Sequence, residues 1–232
     1  MFAWTPERLQ FRVDAARFGS FYREIAQEIA ARVPASAHIC DAGCGTGDLA
    51  RALAASFAQV TALDHDSAAL RALREDCPPN VTALCRDALT DTPSARYDAM
   101  VFCFFGSVAE ILSAAKRQCR GTVIAVKKQG GAHRFSPGCT QARRDSLQTL
   151  ENYLAARGID YTCVHRTLDL GQPFRTLEDA VRFFRLYHRG GDESNVSSER
   201  VAALLRPINH SEFRYYYPAE TSVGLLFFNL EE

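Results

Sequence analysis

Apolar positions along the chain fall into a repeating order of helix and strand. In residues 11–33, Phe18, Phe21, Tyr22, Ile25 and Ile29 recur at helical spacing. This predicts an N-terminal helix or helix pair, broken near Gly19 and closed by Pro34. Short apolar runs then predict strands at 37–41, 59–63, 81–85, 97–104 and 122–126. The run at 97–104 is nearly continuous in apolar side chains, as in a central parallel strand covered on both faces. Helices are predicted between these strands, at about 47–57, at 66–74 with Asp66 as cap, and at 108–119. Strands alternating with helices predict an α/β, doubly wound sheet. The last third breaks that rhythm. It predicts a helix at 141–156 ended by Gly158, a strand at 161–168 and a helix capped by Thr176. A loop at 190–195, a short helix at 198–205 and strands at 213–217 and 223–230 complete the pattern.

At 232 residues the chain is expected to be one domain. Lys and Arg number 27, as do Asp and Glu, so the overall basic footprint of a nucleic-acid binder is missing. Arg143-Arg144 is one small basic patch. No stretch has the uninterrupted apolar length of a membrane span, and no membrane partner is expected. The start, Met1-Phe2-Ala3-Trp4-Thr5-Pro6-Glu7-Arg8, has no apolar run behind basic residues, so a cytoplasmic location is expected. The eight cysteines include no C-x-x-C pair; reduced structural thiols are expected, and no metal site.

The chemistry concentrates in Asp41-Ala42-Gly43-Cys44-Gly45-Thr46-Gly47-Asp48. It reads as a strand end, a turn with three alternating glycines, and a helix start. A turn without Cβ atoms lets a ligand lie directly against the backbone. A dinucleotide fingerprint runs G-x-G-x-x-G; here the spacing is G-x-G-x-G, and Asp48 takes the place of the third glycine. Carboxylates at Asp41 and Asp48 point to a cationic or zwitterionic ligand rather than a diphosphate. Cys44 lies inside the turn, where a helix N-terminus would lower a thiol pKa, but no chemistry is assigned to it.

The passage Asp41-Ala42-Gly43-Cys44-Gly45-Thr46-Gly47 resembles the first motif of class I S-adenosylmethionine-dependent methyltransferases. The likeness covers about residues 37–126. It implies a Rossmann-like, seven-stranded sheet whose final strand is antiparallel and inserted beside the fifth. Residues 1–34 would then be a helical cap, 35–170 the cofactor-binding core, 171–210 a helical insertion or lid, and 211–232 closing strands. It also implies S-adenosylmethionine as cofactor, held at the turn by Asp41, Ala42, Gly43, Cys44, Gly45 and Gly47. Asp64, at the second strand's end, would accept both ribose hydroxyls, with a turn aspartate as the other reading. His65 would flank the adenine, or be an exposed turn residue. Asp87 would accept from the adenine amino group and the Ala88 amide would serve a ring nitrogen, unless Asp87 is a helix cap. Phe104 or Phe105 would meet the sulfonium by cation–π attraction, or pack in the core.

The acceptor side is less specific. Lys127, Lys128, His133 and Arg134 follow the fifth strand. His133 is the candidate general base, because imidazole titrates near neutrality. Lys127 or Arg134 would hold an acidic group of the substrate. His188 would enter from the lid behind the stripe Phe183-Phe184-Tyr187, which itself reads as core, and Tyr22 would close over the cofactor. DNA amine methyltransferases carry an acidic or amide residue, two prolines and an aromatic where this chain has Cys103-Phe104-Phe105-Gly106-Ser107. The expected activity is in-line methyl transfer to a small-molecule acceptor, by a monomer or homodimer. Two rivals remain, a non-catalytic S-adenosylmethionine-binding protein and an NAD-dependent oxidoreductase, which would need other glycine spacing and tolerance of Asp48.

Overall fold

The five early apolar runs become parallel strands in a computed structural model, which describes residues 4–130, 146–188 and 196–230. They are β1 (His38–Ala42), β2 (Gln59–Asp64), β3 (Val81–Cys85), β4 (Tyr97–Cys103) and β5 (Cys119–Lys128). Later come β6 (Tyr161–Asp169), β7 (Gln172–Phe174), β8 (Arg206–Pro207), β9 (Tyr215–Tyr217) and β10 (Glu220–Asn229). The main sheet has seven strands in the order β3-β2-β1-β4-β5-β10-β6. β10 runs antiparallel between β5 and β6, as the resemblance implied.

Helices cover both faces of this sheet. They are α1 (Pro6–Phe18), α2 (Phe21–Ala30), α3 (Asp48–Leu53), α4 (Ser67–Glu75), α5 (Val108–Gln118), α6 (Leu147–Ala155), α7 (Leu177–Tyr187) and α8 (Ser198–Leu204). Successive strand residues point to opposite faces. Ile39, Val101 and Ile124 accordingly pack under α2, α3 and α4, with Ile25, Ile29, Leu53 and Leu70. Cys40, Met100 and Val123 face α5 and α6, against Ile111, Leu150 and Leu154. Polar caps end the helices. Asp66 accepts from the Ala68 and Ala69 amides, while Ser107 with Glu110 and Thr176 with Asp179 form capping boxes.

Three expectations change. The opening helix begins at Pro6, before the periodic stretch, although the break expected near Gly19 does part it into two helices. Residues 213–217 do not close the main sheet. Tyr215–Tyr217 instead pairs antiparallel with Gln172–Phe174 and Arg206–Pro207 in a separate three-stranded sheet. Strands of two or three residues are too short to leave a period in the sequence. The region expected as a helical insertion thus holds strands as well. It shares an apolar cluster with the N-terminal cap, in which Phe11 meets Phe174 and Phe183 edge-on at centroid distances of 6.2 and 5.1 Å. Residues 141–145 and the loop at 190–195 lie outside the described residues.

Candidate functional site

The C-terminal ends of β1, β2 and β4 meet at the glycine turn. Gly43, Gly45 and Gly47 have φ of 69°, 55° and 77°, a left-handed run that only glycine adopts without penalty. Close neighbours enforce the same choice: a Cβ on Gly43 would lie 2.3 Å from the Phe105 ring, and one on Gly45 would lie 3.1 Å from the Trp4 indole. Asp64 fixes the turn from β2. One carboxylate oxygen accepts the Gly45 amide at 2.8 Å and the other the Asp66 amide at 2.9 Å.

Asp41 ends β1 just before the turn. Its side chain is 2 % exposed, and one carboxylate oxygen has no hydrogen-bond partner. Burial pushes its pKa up from 3.8 to about 7, and Asp48 and Asp64 add repulsion; the Ala50 amide and Arg12 act in the opposite sense without matching them. Asp48 is placed differently. It accepts the Thr46 hydroxyl at 2.7 Å and pairs with Arg12 at 2.8 Å and Arg51 at 3.5 Å. Its charge is therefore largely met by protein. The preference for a cationic ligand rests on Asp41 instead, which corrects the expectation drawn from Asp48.

Arg12 belongs to α1, and its guanidinium also stacks on the Tyr22 ring at 4.5 Å. The ion pair ties the N-terminal cap to the first turn of α3. A cavity of about 280 Å³ lies between this cap, the turn and the insertion. Asp41, Gly43 and Gly45 form its floor, and Trp4, Tyr22, Phe104, Phe183 and Tyr187 contribute aromatic walls.

Residues 39–131 match the family model described as a methyltransferase domain. The matched span, from β1 to just past the end of β5, is similar to methyltransferase domains. A search of curated proteins finds no match. Among solved structures, the chain is similar in fold to the YcgJ protein of Bacillus subtilis, at 13 % identity and a TM-score of 0.59, covering 91 % of this chain and 99 % of that one. It is also similar to magnesium protoporphyrin IX methyltransferase of Synechocystis PCC 6803, at 14 % identity and a TM-score of 0.50, over 99 % and 86 % of the two chains. A third likeness is to precorrin-6y C5,15-methyltransferase of Geobacter metallireducens GS-15, at 12 % identity and a TM-score of 0.51, over 89 % and 88 %.

The cavity gathers Asp41, Gly43, Cys44, Gly45, Phe104 and Tyr22 from the expected set. Asp64 braces the floor from below, and His65 stands half-exposed beside it, 3.6 Å from its carboxylate. Asp87 lies in a separate surface hollow; its carboxylate accepts the Leu89 amide at 2.9 Å and the Thr90 hydroxyl at 3.2 Å, so it does cap a turn. Ala88 is buried behind it, with its carbonyl on Gln118. Phe104 adopts φ of 57°, an outlier for a bulky residue, so the chain after β4 is held in a strained shape at the cavity wall.

Several expectations on the acceptor side are corrected. Lys127 is buried, and its ammonium donates to the Gly106 carbonyl at 2.6 Å, which braces the turn after β4 rather than facing a substrate acid. The insertion lines the cavity with Phe183 and Tyr187 rather than His188, which is the C-cap of α7. Phe183 and Phe184 are core, as expected, though Phe183 is also wall. Burial, with Asp41 and Asp64 nearby, raises the Cys44 thiol pKa far from any reactive range, against the expected effect of the helix N-terminus. His133, Arg134 and Arg143-Arg144 lie outside the described residues. Arg12, Trp4, Gln172 and Tyr187 escaped the sequence reading. Only Tyr187 carried a signal, as part of the aromatic stripe on α7.

Proposed function

We propose that this chain is an S-adenosylmethionine-dependent methyltransferase that transfers the methyl group to a small-molecule acceptor bound in the cavity between cap, glycine turn and insertion. The carrying observation is the Asp41 oxygen, buried and without a protein hydrogen-bond partner, in the floor of a cavity bordered by the glycine turn. Such an oxygen calls for a cation, and the amino-acid end of S-adenosylmethionine carries an ammonium. Asp64 keeps lone pairs beyond those given to Gly45 and Asp66, and these would take the ribose hydroxyls. Asp87 and the Ala88 amide would serve the adenine from their hollow, and His65 would border it. Phe104, Gly47, Ala42 and Cys44 complete the contact surface.

The cofactor supplies an already activated sulfonium methyl. The chain's own work is then to hold the acceptor in line, exclude water and accept a proton where the acceptor must lose one. The proposed base for that last task is His133. Arg12, Tyr22 and Gln172 would orient and enclose, and the Gln172 amide already ties the insertion to the Phe11 carbonyl at 3.0 Å.

Calorimetry with S-adenosylhomocysteine tests the cofactor reading. Wild-type protein should bind it, and Asp64→Ala should weaken binding by about ten- to a hundredfold, the size of a lost charge-assisted contact. Unchanged affinity in that variant would remove Asp64 from the ribose. Asp64→Asn, which keeps one acceptor for the Gly45 amide, separates loss of contact from collapse of the turn.

A further inference from the structure

The walls of the cavity narrow the acceptor class. Five aromatic residues surround about 280 Å³, just below the ~300 Å³ at which pockets for drug-sized ligands begin. Part of that space goes to the end of the cofactor lying on Gly43 and Gly45. What remains suits one small ring, not a macrocycle. The walls are also fastened to each other. Gln172 holds Phe11, and Arg175 of the insertion pairs with Asp14 of α1, with Nη2 and Oδ1 3.0 Å apart. A polymer substrate would have to part this clamp.

Charge narrows the class again. Aromatic faces attract cations, but three of these rings already have one close by. Arg12 lies 4.5 Å from the Tyr22 centroid, Lys128 5.6 Å from Phe104 and Arg8 5.9 Å from Tyr187. With the Asp41 carboxylate taken up by the cofactor's ammonium, a cationic acceptor would meet like charge there. A neutral ring that becomes an anion would not, since nearby guanidinium and ammonium groups favour the ionised form of an acidic hydroxyl.

Resting on the cofactor reading above, we propose that the acceptor is a small monocyclic phenol, methylated on oxygen as its phenolate. The phenol ionises on binding, releasing its proton to solvent, so this acceptor makes no use of the base proposed above. The phenolate oxygen then forms the new O–CH3 bond as the S–CH3 bond breaks, and the bonding pair stays on sulfur, which leaves a neutral thioether. Tyr187 and Trp4 would grip the ring faces, and Arg12 would stabilise the oxyanion.

The test incubates the full chain with S-adenosylmethionine and either catechol, 4-hydroxybenzoate, benzylamine or protoporphyrin, and reads S-adenosylhomocysteine formation. Catechol should be turned over, and benzylamine and protoporphyrin should not. Tyr187→Ala should raise KM for catechol roughly tenfold, the loss of one ring contact, with S-adenosylhomocysteine affinity unchanged by calorimetry. If S-adenosylhomocysteine binds but catechol and 4-hydroxybenzoate both go unmethylated, or if the amine or the macrocycle is preferred, the phenol assignment is overturned while the cofactor reading stands. If S-adenosylhomocysteine does not bind, the cofactor reading falls and takes this inference with it. A Tyr187→Ala variant with unchanged KM removes that ring from the acceptor wall and overturns the slot.

Discussion

Asp41 sets a cost in the folded chain that a ligand can offset. Its pKa rises from 3.8 to about 7 on folding, because burial and neighbouring carboxylates penalise the charge. The folded state therefore holds this proton more tightly than the unfolded state. By linkage, the contribution of Asp41 to stability is fully present below about pH 4, is lost as pH rises towards 7, and stays flat above. Asp41→Asn removes the buried charge, and should raise stability at pH 8 by about 1–3 kcal/mol, the size of one unsatisfied buried group. Denaturant melts of both proteins at pH 5 and pH 8 check this; an equal gain at both pH values would place the effect elsewhere. The same residue sets a pH dependence of binding. An ammonium ligand needs the ionised carboxylate, so affinity for S-adenosylhomocysteine should rise from pH 5.5 to about pH 7 and then level. In Asp41→Asn that rise should vanish and affinity should fall, as calorimetry across the range would record. The aspartate was legible in the sequence from its place before the turn. Its missing partner was not, because hydrogen bonding of one oxygen depends on the packing of α1 and α3 around it.

At the scale of elements, legibility followed burial. β1 to β5 were predicted to within about three residues at each end, since strands covered on both faces are continuous apolar runs. α1 was half-missed because it presents no apolar stripe; its buried residues are Phe11 and Asp14. Asp14 is 2 % exposed and accepts from Gln10 at 2.8 Å and from Arg175 of the insertion, which also pairs with Glu212 and lies over the Phe213 ring at 4.9 Å. Polar residues thus hold the cap where apolar periodicity was sought. Asp14→Ala leaves the partly exposed Arg175 with Glu212 alone. It should cost about 1–3 kcal/mol in denaturant unfolding, less than a wholly buried pair because water can still reach the guanidinium. A loss within about 0.5 kcal/mol, typical of surface positions, would mean the clamp adds little beyond the apolar cluster.

For the whole molecule, the sheet and the cap–insertion unit share the walls and floor of the candidate cavity, and this explains which parts of the site the sequence could reveal. The floor is local: a strand end, a glycine turn and the next strand end lie within Asp41–Asp64, so spacing alone placed it. The walls are not. Trp4, Arg12, Phe104 and Tyr187 are brought together from separate parts of the chain by packing between elements. A ligand touching floor and walls must couple the two bodies. S-adenosylhomocysteine at a hundred times its Kd should add about 2.7 kcal/mol to stability, or roughly 5–11 °C in Tm for a chain of this size. Hydrogen exchange then distinguishes where that energy goes. Amides of α1 and α7 should slow together on binding, while β4 and β5, already buried, should change little. Slowing confined to the glycine turn and Asp64, with α1 and α7 unmoved, would mean that the cap and insertion do not close on the ligand. The cavity walls would then have no part in choosing the acceptor.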